Sequence, residues 1–342
     1  MKTHPTLTHS LALMVTTALF AMSTQAQSDR WFRVELLVFS HESGSADRAE
    51  SWEPTPDLSY PDSMRFLVDN AQVQRNIDEF GQDSILDARG VQTIELPQPE
   101  PELEDSPAAE QESTDIPRQD PEPGLEASPD DTAEATDPLL QDSPPPLPTP
   151  FVQRAAAERE FRGKAAYMQR MGNYRTLFHQ TWLQPMRDEN SALPIVLDRS
   201  GDTRDWPRLQ GSVQIYLSRY LHIETDLWLN TTGNYLPGQW AMPAAPLGPP
   251  SLLLIEPEPL LLATTGESTD ETDPLADISI NLEPVYPWRH AVRFNEKRRM
   301  RSNEVHYLDH PMLGVVVKLT PVAQEELQAI AEADLAAVEI AQ

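Results

Sequence analysis

Val213-Gln214-Ile215-Tyr216-Leu217-Ser218-Arg219-Tyr220-Leu221-His222-Ile223-Glu224-Thr225-Asp226-Leu227-Trp228-Leu229 decides the fold. Val213, Ile215, Leu217, Leu221, Ile223, Leu227 and Leu229 share one parity, while Gln214, Ser218, His222, Glu224 and Asp226 share the other. A period of two is the mark of a half-buried β-strand, with alternate side chains on opposite faces of a sheet. A two-residue hairpin would shift the apolar parity by one position. The parity is unbroken, so the stretch is expected to form one long bent strand, with a three-residue turn or a bulge near Arg219 as the alternative.

Working outward, Trp31-Phe32-Arg33-Val34-Glu35-Leu36-Leu37-Val38-Phe39 is aromatic and β-branched, and its near-continuous apolar run from Leu36 predicts a central strand buried on both faces. Tyr174 to Leu183 fits both a two- and a four-residue spacing, and Thr176 and Thr181 favour a strand. His290 to Met300, Glu304 to Asp309 and Leu313 to Thr320 read as three more strands, the last two joined through His310-Pro311-Met312. Two helices are predicted. One runs from Phe151 to Met171, with Ala-rich clusters and a Glu158–Arg162 pair one turn apart. The other is opened by Pro321 and runs to about Ala337. Strands outnumber helices, and the expected class is α+β, a mainly antiparallel sheet with a few helices, interrupted by two low-complexity insertions.

The first insertion, 97–150, holds 15 Asp/Glu, 14 Pro and one basic residue, Arg118, without an aromatic. Such a composition buries too little apolar surface to offset its ordering entropy, so a disordered acidic linker is expected. The second, 242–277, is Pro-rich and acidic, with the apolar islands Leu252-Leu253-Leu254-Ile255 and Leu260-Leu261-Leu262 available to dock on the domain or on a partner. The domain is thereby divided into 27–96, 151–241 and 278–342, the last part carrying the C-terminal helix. Residues 1–26 have the form of a signal peptide: Lys2, an apolar run from Leu11 to Met22, then Thr24-Gln25-Ala26, with cleavage expected after Ala26. The run is too short for a bilayer span, which needs about 20 residues. No later apolar stretch is long enough either, so a periplasmic protein without stable membrane insertion is expected. The chain has no Cys, which removes disulfides, thiolate sites and a lipid-bearing cysteine. A net charge of −28 opposes nucleic acid as a partner.

The familiar hydrolase, zinc-protease and phosphate-loop motifs are missing. Glu35, Glu224 and Asp226 are the carboxylates on predicted strands that a wall hydrolase would need; salt-bridged strand faces explain them more simply. His306, Asp309 and His310 carry metal-binding atoms, but His306 and Asp309 fall on opposite faces of a strand, and imidazoles that cap backbone groups are expected instead of a metal site. No catalytic residue and no cofactor is therefore assigned. One feature opposes the global charge: Arg289, Arg293, Lys297, Arg298, Arg299 and Arg301 crowd into thirteen residues against Glu296 alone. They form either a carboxylate-binding end or a patch neutralised by the protein's own acids.

Four segments in order resemble the CsiV family of periplasmic peptidoglycan-binding proteins: Val34 to Phe39 followed by Glu50-Ser51-Trp52, Tyr174 to Pro185, Gly211 to Leu229 around Arg219-Tyr220-Leu221-His222, and Arg298 to Pro311. The resemblance implies binding to peptidoglycan and support of the synthases that build it, or of their envelope activators, without catalysis. It carries no binding residues over. Stem peptides of the wall bear carboxylates, which places the expected binding surface at Arg298, Arg299 and Arg301 and at Arg219, Tyr220 and His222, provided the chain bends at Arg219. The alternatives are an envelope adaptor that binds only proteins and, further off, a cell-wall hydrolase.

Overall fold

The computed structural model describes residues 30–42, 51–81, 83–97, 146–257 and 284–341. The expected signal peptide, nearly all of the expected acidic linker and the second apolar island lie outside them.

Two four-stranded antiparallel sheets face each other. The first has the order β10-β11-β1-β4, from β1 (Trp31–His41), β4 (Tyr174–Pro185), β10 (Val305–Asp309) and β11 (Leu313–Pro321). The second is β5-β6-β7-β9, from β5 (Ile195–Val196), β6 (Leu209–Leu217), β7 (Leu221–Thr231) and β9 (His290–Met300). Val34, Leu36 and Val38 of β1 meet Ile215, Ile223 and Leu227 of the second sheet in one core, so the pair is a sandwich. As the composition of β1 demands, it is central and buried on both faces. Leu37 and Phe39 turn away from the sandwich and pack on Phe161 and Ala165 beside helix α2 (Arg162–Arg170). A smaller sheet joins β2 (Ser84–Leu86) antiparallel to β3 (Gln92–Glu95), and β3 parallel to β8 (Leu252–Ile255), with helix α1 (Asn70–Phe80) beside β3. The mainly antiparallel α+β class is thus the observed one.

Several expectations change. The stretch 213–229 is not one long strand but a hairpin, the alternative with a three-residue turn at Arg219: Leu217 pairs with Leu221 across Ser218-Arg219-Tyr220, and Ser218 N–H donates to Tyr220 C=O at 3.0 Å. Cross-strand partners share a face. A three-residue connection joins odd to odd, so the apolar parity survives the turn and could not reveal it. The helix expected over 151–171 is confined to one 3₁₀ turn, Ala156–Glu158, and α2. Phe151 to Gln153 instead bridge Val68 and Trp182. The Glu35 carboxylate accepts the amides of Glu160 and Phe161 at 2.9 and 2.8 Å, which starts α2 there. Glu158 pairs with Arg154, whose guanidinium also forks onto Asp334 of helix α4 (Gln324–Ala341), rather than with Arg162. That C-terminal helix begins three residues after Pro321, because Pro321 is still paired with Phe32 at the end of β11. Within 242–277 the first apolar island is not irregular but forms β8.

Candidate functional site

The cation run of β9 is divided by register. At its root, the Arg289 guanidinium donates to the carbonyls of Gly233, Pro237, Gly238 and Trp240, fastening a loop. Arg293 is held bidentate by Asp226 at 2.8 and 2.9 Å, and that hydrogen-bonded carboxylate raises its pKa further. Lys297 lies between Glu189 (2.7 Å) and Glu224, and these bonds raise its pKa. Arg289 is thus committed to loop carbonyls, and Arg293 and Lys297 are neutralised by the protein's own acids.

The remaining three residues stand at the tip. Arg299 pairs across the sheet with His222, and its guanidinium lies 3.4 Å from the ring centre of Tyr220, the last residue of the three-residue turn. Arg219 stands over the same ring at 5.5 Å. His222 stacks on Tyr216, its partner on β6, with centroids 5.1 Å apart. Arg219, Tyr220, His222 and Arg299 thus form one cation–aromatic ledge, and the turn supplies the bend that lets adjacent residues 219 and 220 converge. Arg298 belongs to the other parity, opposite Ile223, and reaches Glu296 at 3.4 Å. Arg301 lies beyond the strand end, 73% exposed, 3.5 Å from Glu304. Four of the six expected residues are brought together; Arg298 and Arg301 flank them.

Sequence reasoning left out Tyr216, although its even parity already placed it with His222. The ledge continues into a groove of about 520 Å³ along the outer face of the second sheet, lined by Gln214, Glu224 and Lys297 in register and by Glu189 beside them.

The other candidates are structural. Glu35 is buried; burial works to raise its carboxyl, but the His179 ring at 2.8 Å and the amides of Phe161 and Glu160 prevail and hold it below the usual range. Glu224 accepts from Tyr216 Oη at 2.9 Å, and Asp226 holds Arg293. His306 Nε2 accepts the Arg301 amide at 3.0 Å, and His310 Nδ1 accepts the Met312 amide at 3.2 Å, the backbone-capping role expected of them. Burial lowers the His310 pKa to about 4. Among the described residues no group of three His, Asp or Glu is placed to hold a metal ion, and no helix is long and apolar enough to cross a membrane.

Two facing antiparallel sheets with an open, polar outer face at one tip define a β-sandwich with a surface available to a ligand. The family model described as "Peptidoglycan-binding protein, CsiV" matches residues 7–322, and the chain belongs to that family. Its family is a peptidoglycan-binding one, which supports that role here. No match was found among curated proteins or solved structures.

Proposed function

We propose that the protein is a periplasmic, non-catalytic peptidoglycan-binding protein that supports cell-wall assembly through the synthases or their envelope activators. Its wall contact is the ledge of Arg219, Tyr220, His222 and Arg299, flanked by Arg298 and Arg301. The observation that carries this reading is the Arg299–Tyr220 stack: a cation left for a ligand at the open end of a sheet whose other cations are paired. A guanidinium on an aromatic plate offers a carboxylate a directed donor and a sugar ring a flat apolar face. Placing these cations in one spot lets a strongly acidic chain approach a carboxylate-bearing wall without long-range repulsion dominating. Sedimentation with purified sacculi is the test. Wild-type protein should pellet at low salt and less as salt rises, and protein that stays in the supernatant at low salt refutes direct wall binding.

A protein-only adaptor is the second reading. It is favoured by Ile85, Leu253 and Ile255, which stand exposed on one face of the three-stranded sheet. Crosslinking in cells that yields protein adducts and no saccharide-peptide adducts would select it.

A further inference from the structure

A second concavity lies at the far end of β6 from the ledge. It encloses about 590 Å³ between α1, β3 and β8 on one side and the starts of β4 and β6 on the other. That volume is within the range of small-molecule sites, ~300–1,000 Å³.

Its walls hold unusual backbone. Val38 pairs with Phe178 and Phe39 with Thr176, so Leu177 is the extra, unpaired residue of a bulge in β4. Phe151, two residues before the wall residue Gln153, has φ 63°, a costly conformation for a bulky side chain. Gly90 has φ 85°, and a Cβ there would stand 2.7 Å from Phe66 C=O. Bulges and strained residues gather where a sheet must aim side chains at a ligand.

The uncharged polar part of the walls is mainly carboxamide: Gln72, Asn76, Gln92, Gln153 and Gln180. Arg75 donates to Gln72 (2.7 Å), Gln72 to Asn76 (2.8 Å), Asn76 to Gln92 (2.7 Å) and Gln92 to Ser84 Oγ (2.9 Å), a directed chain that fixes the carboxamides of one wall. Gln153 lies on the other wall. The charges of the lining balance: Arg175, Arg199 and Arg208 stand against Asp69, Asp198 and Asp202. About half of the lining is apolar, Phe66, Leu67, Val73, Leu177, Phe178 and Leu209 among it. A cleft of balanced charge that adds carboxamides to apolar surface selects a neutral ligand rich in amide and hydroxyl groups, because carboxamides donate to and accept from both. It is the opposite of the ledge, which selects negative charge.

We propose that this cleft binds an N-acetylated saccharide, the glycan of the wall polymer, while the ledge takes the carboxylates of its peptides. This rests on the peptidoglycan-binding reading above and divides the polymer between two sites.

The test titrates the full protein with the N-acetylglucosamine–N-acetylmuramic acid disaccharide as methyl ester, and separately with free stem tetrapeptide, by calorimetry or NMR shifts. Leu86→Trp narrows the cleft from a partly exposed strand position, and Gln153→Ala removes a wall amide without adding bulk. Each variant, folded by circular dichroism, should weaken the disaccharide about tenfold, equivalent to one or two lost hydrogen bonds. The proposal is overturned if the disaccharide binds both variants as well as wild type, if wild type shows no saturable disaccharide binding, or if the tetrapeptide is the ligand that the cleft variants lose. Should Leu86→Trp misfold, Gln153→Ala decides alone. Sacculus sedimentation, read in parallel, separates the two levels: protein that pellets but ignores the disaccharide loses the cleft and keeps the wall-binding function.

Discussion

The two sheets share a core, yet their outer faces differ. The outer face of the first sheet is covered along β1 and β4, where Leu37 and Phe39 lie under α2, and Trp31 and Leu183 pack on Leu327 of α4, while Val305 and Tyr307 of the edge strand β10 stay exposed. The outer face of the second sheet is covered only at its root, where Trp228 and Ala291 meet Met242 and Ala245. Toward the tip it turns polar, row by row: Gln214, Glu224 and Lys297, then Tyr216, His222 and Arg299. Equal burial inside and unequal cover outside separate what holds the protein together from what it presents to a partner.

The sharpest break of that contrast lies on β7 itself. Ile223 points inward with no exposed surface, and His222 points outward. Ile223→Asp places a carboxylate in the sandwich core and should cost at least about 3 kcal/mol, enough to leave much of the protein unfolded. His222→Asp should cost under about 1 kcal/mol. Thermal melts of the two variants check both, and a wild-type melt for Ile223→Asp would refute the inner-face assignment.

On the covered face of the first sheet, Glu35→Ala leaves the buried amide of Phe161 and the part-buried amide of Glu160 without their acceptor. The expected loss is about 1–3 kcal/mol. The folded-state pKa of Glu35 is depressed below 4.5, so its contribution is present above that pH and is lost as pH falls below it. The stability of Glu35→Gln should therefore depend less on pH than that of wild type below about 4.5. Equal slopes would show that the carboxylate is not stabilised by its amides.

His310 tests the edge between the sheets, where it packs on Trp52 and Phe294. Burial lowers its pKa from 6.5 to about 4, so the folded state favours the neutral ring. Stability is fully present above 6.5 and declines as pH falls toward 4, because the unfolded chain takes up the proton first. Denaturant midpoints between these values should fall less steeply in His310→Gln than in wild type; a parallel fall would assign the slope to other groups.

These residues also mark how far the sequence could be read. Parity placed Ile223 and Leu227 in the core and His222 outside it, and the apolar run placed β1 at the centre, because strand periodicity is local and survives any fold. The same rule could not choose between one bent strand and the three-residue turn at Ser218–Tyr220, since a connection of odd length preserves parity. The start of α2 was hidden for another reason: it is set by the Glu35 carboxylate, 125 residues away from Glu160 in the chain. Residues 52–97, with α1, β2 and β3, gave no comparable signal, for their strands are three and four residues long and their order depends on β8. For the site, charge density located the basic end but could not divide it. Lys297 and Arg299 share a face and differ only in that Glu189 and Glu224 reach one of them.

The smallest effect on stability should come from the tip, where the effect on binding should be largest. Arg299 stacks on an exposed tyrosine at the end of a strand, and its removal unburies no core residue. Arg299→Glu and Arg219→Glu should each change stability by less than about 0.5 kcal/mol, as surface substitutions do. Both reverse a charge on the plate of Tyr220, and Tyr220→Ala removes the plate. Arg298 faces the other way and Arg301 stands clear of the ring, so the double variant Arg298→Glu, Arg301→Glu should weaken sacculus binding less than Arg219→Glu, Arg299→Glu does. That ranking follows from register, not from charge, because the two double variants change the net charge equally. Sedimentation of both with sacculi at low salt reads it directly. If they lose binding to the same extent, the wall senses the total charge of the tip; if neither loses any, the cations at this end are structural and the wall contact lies elsewhere.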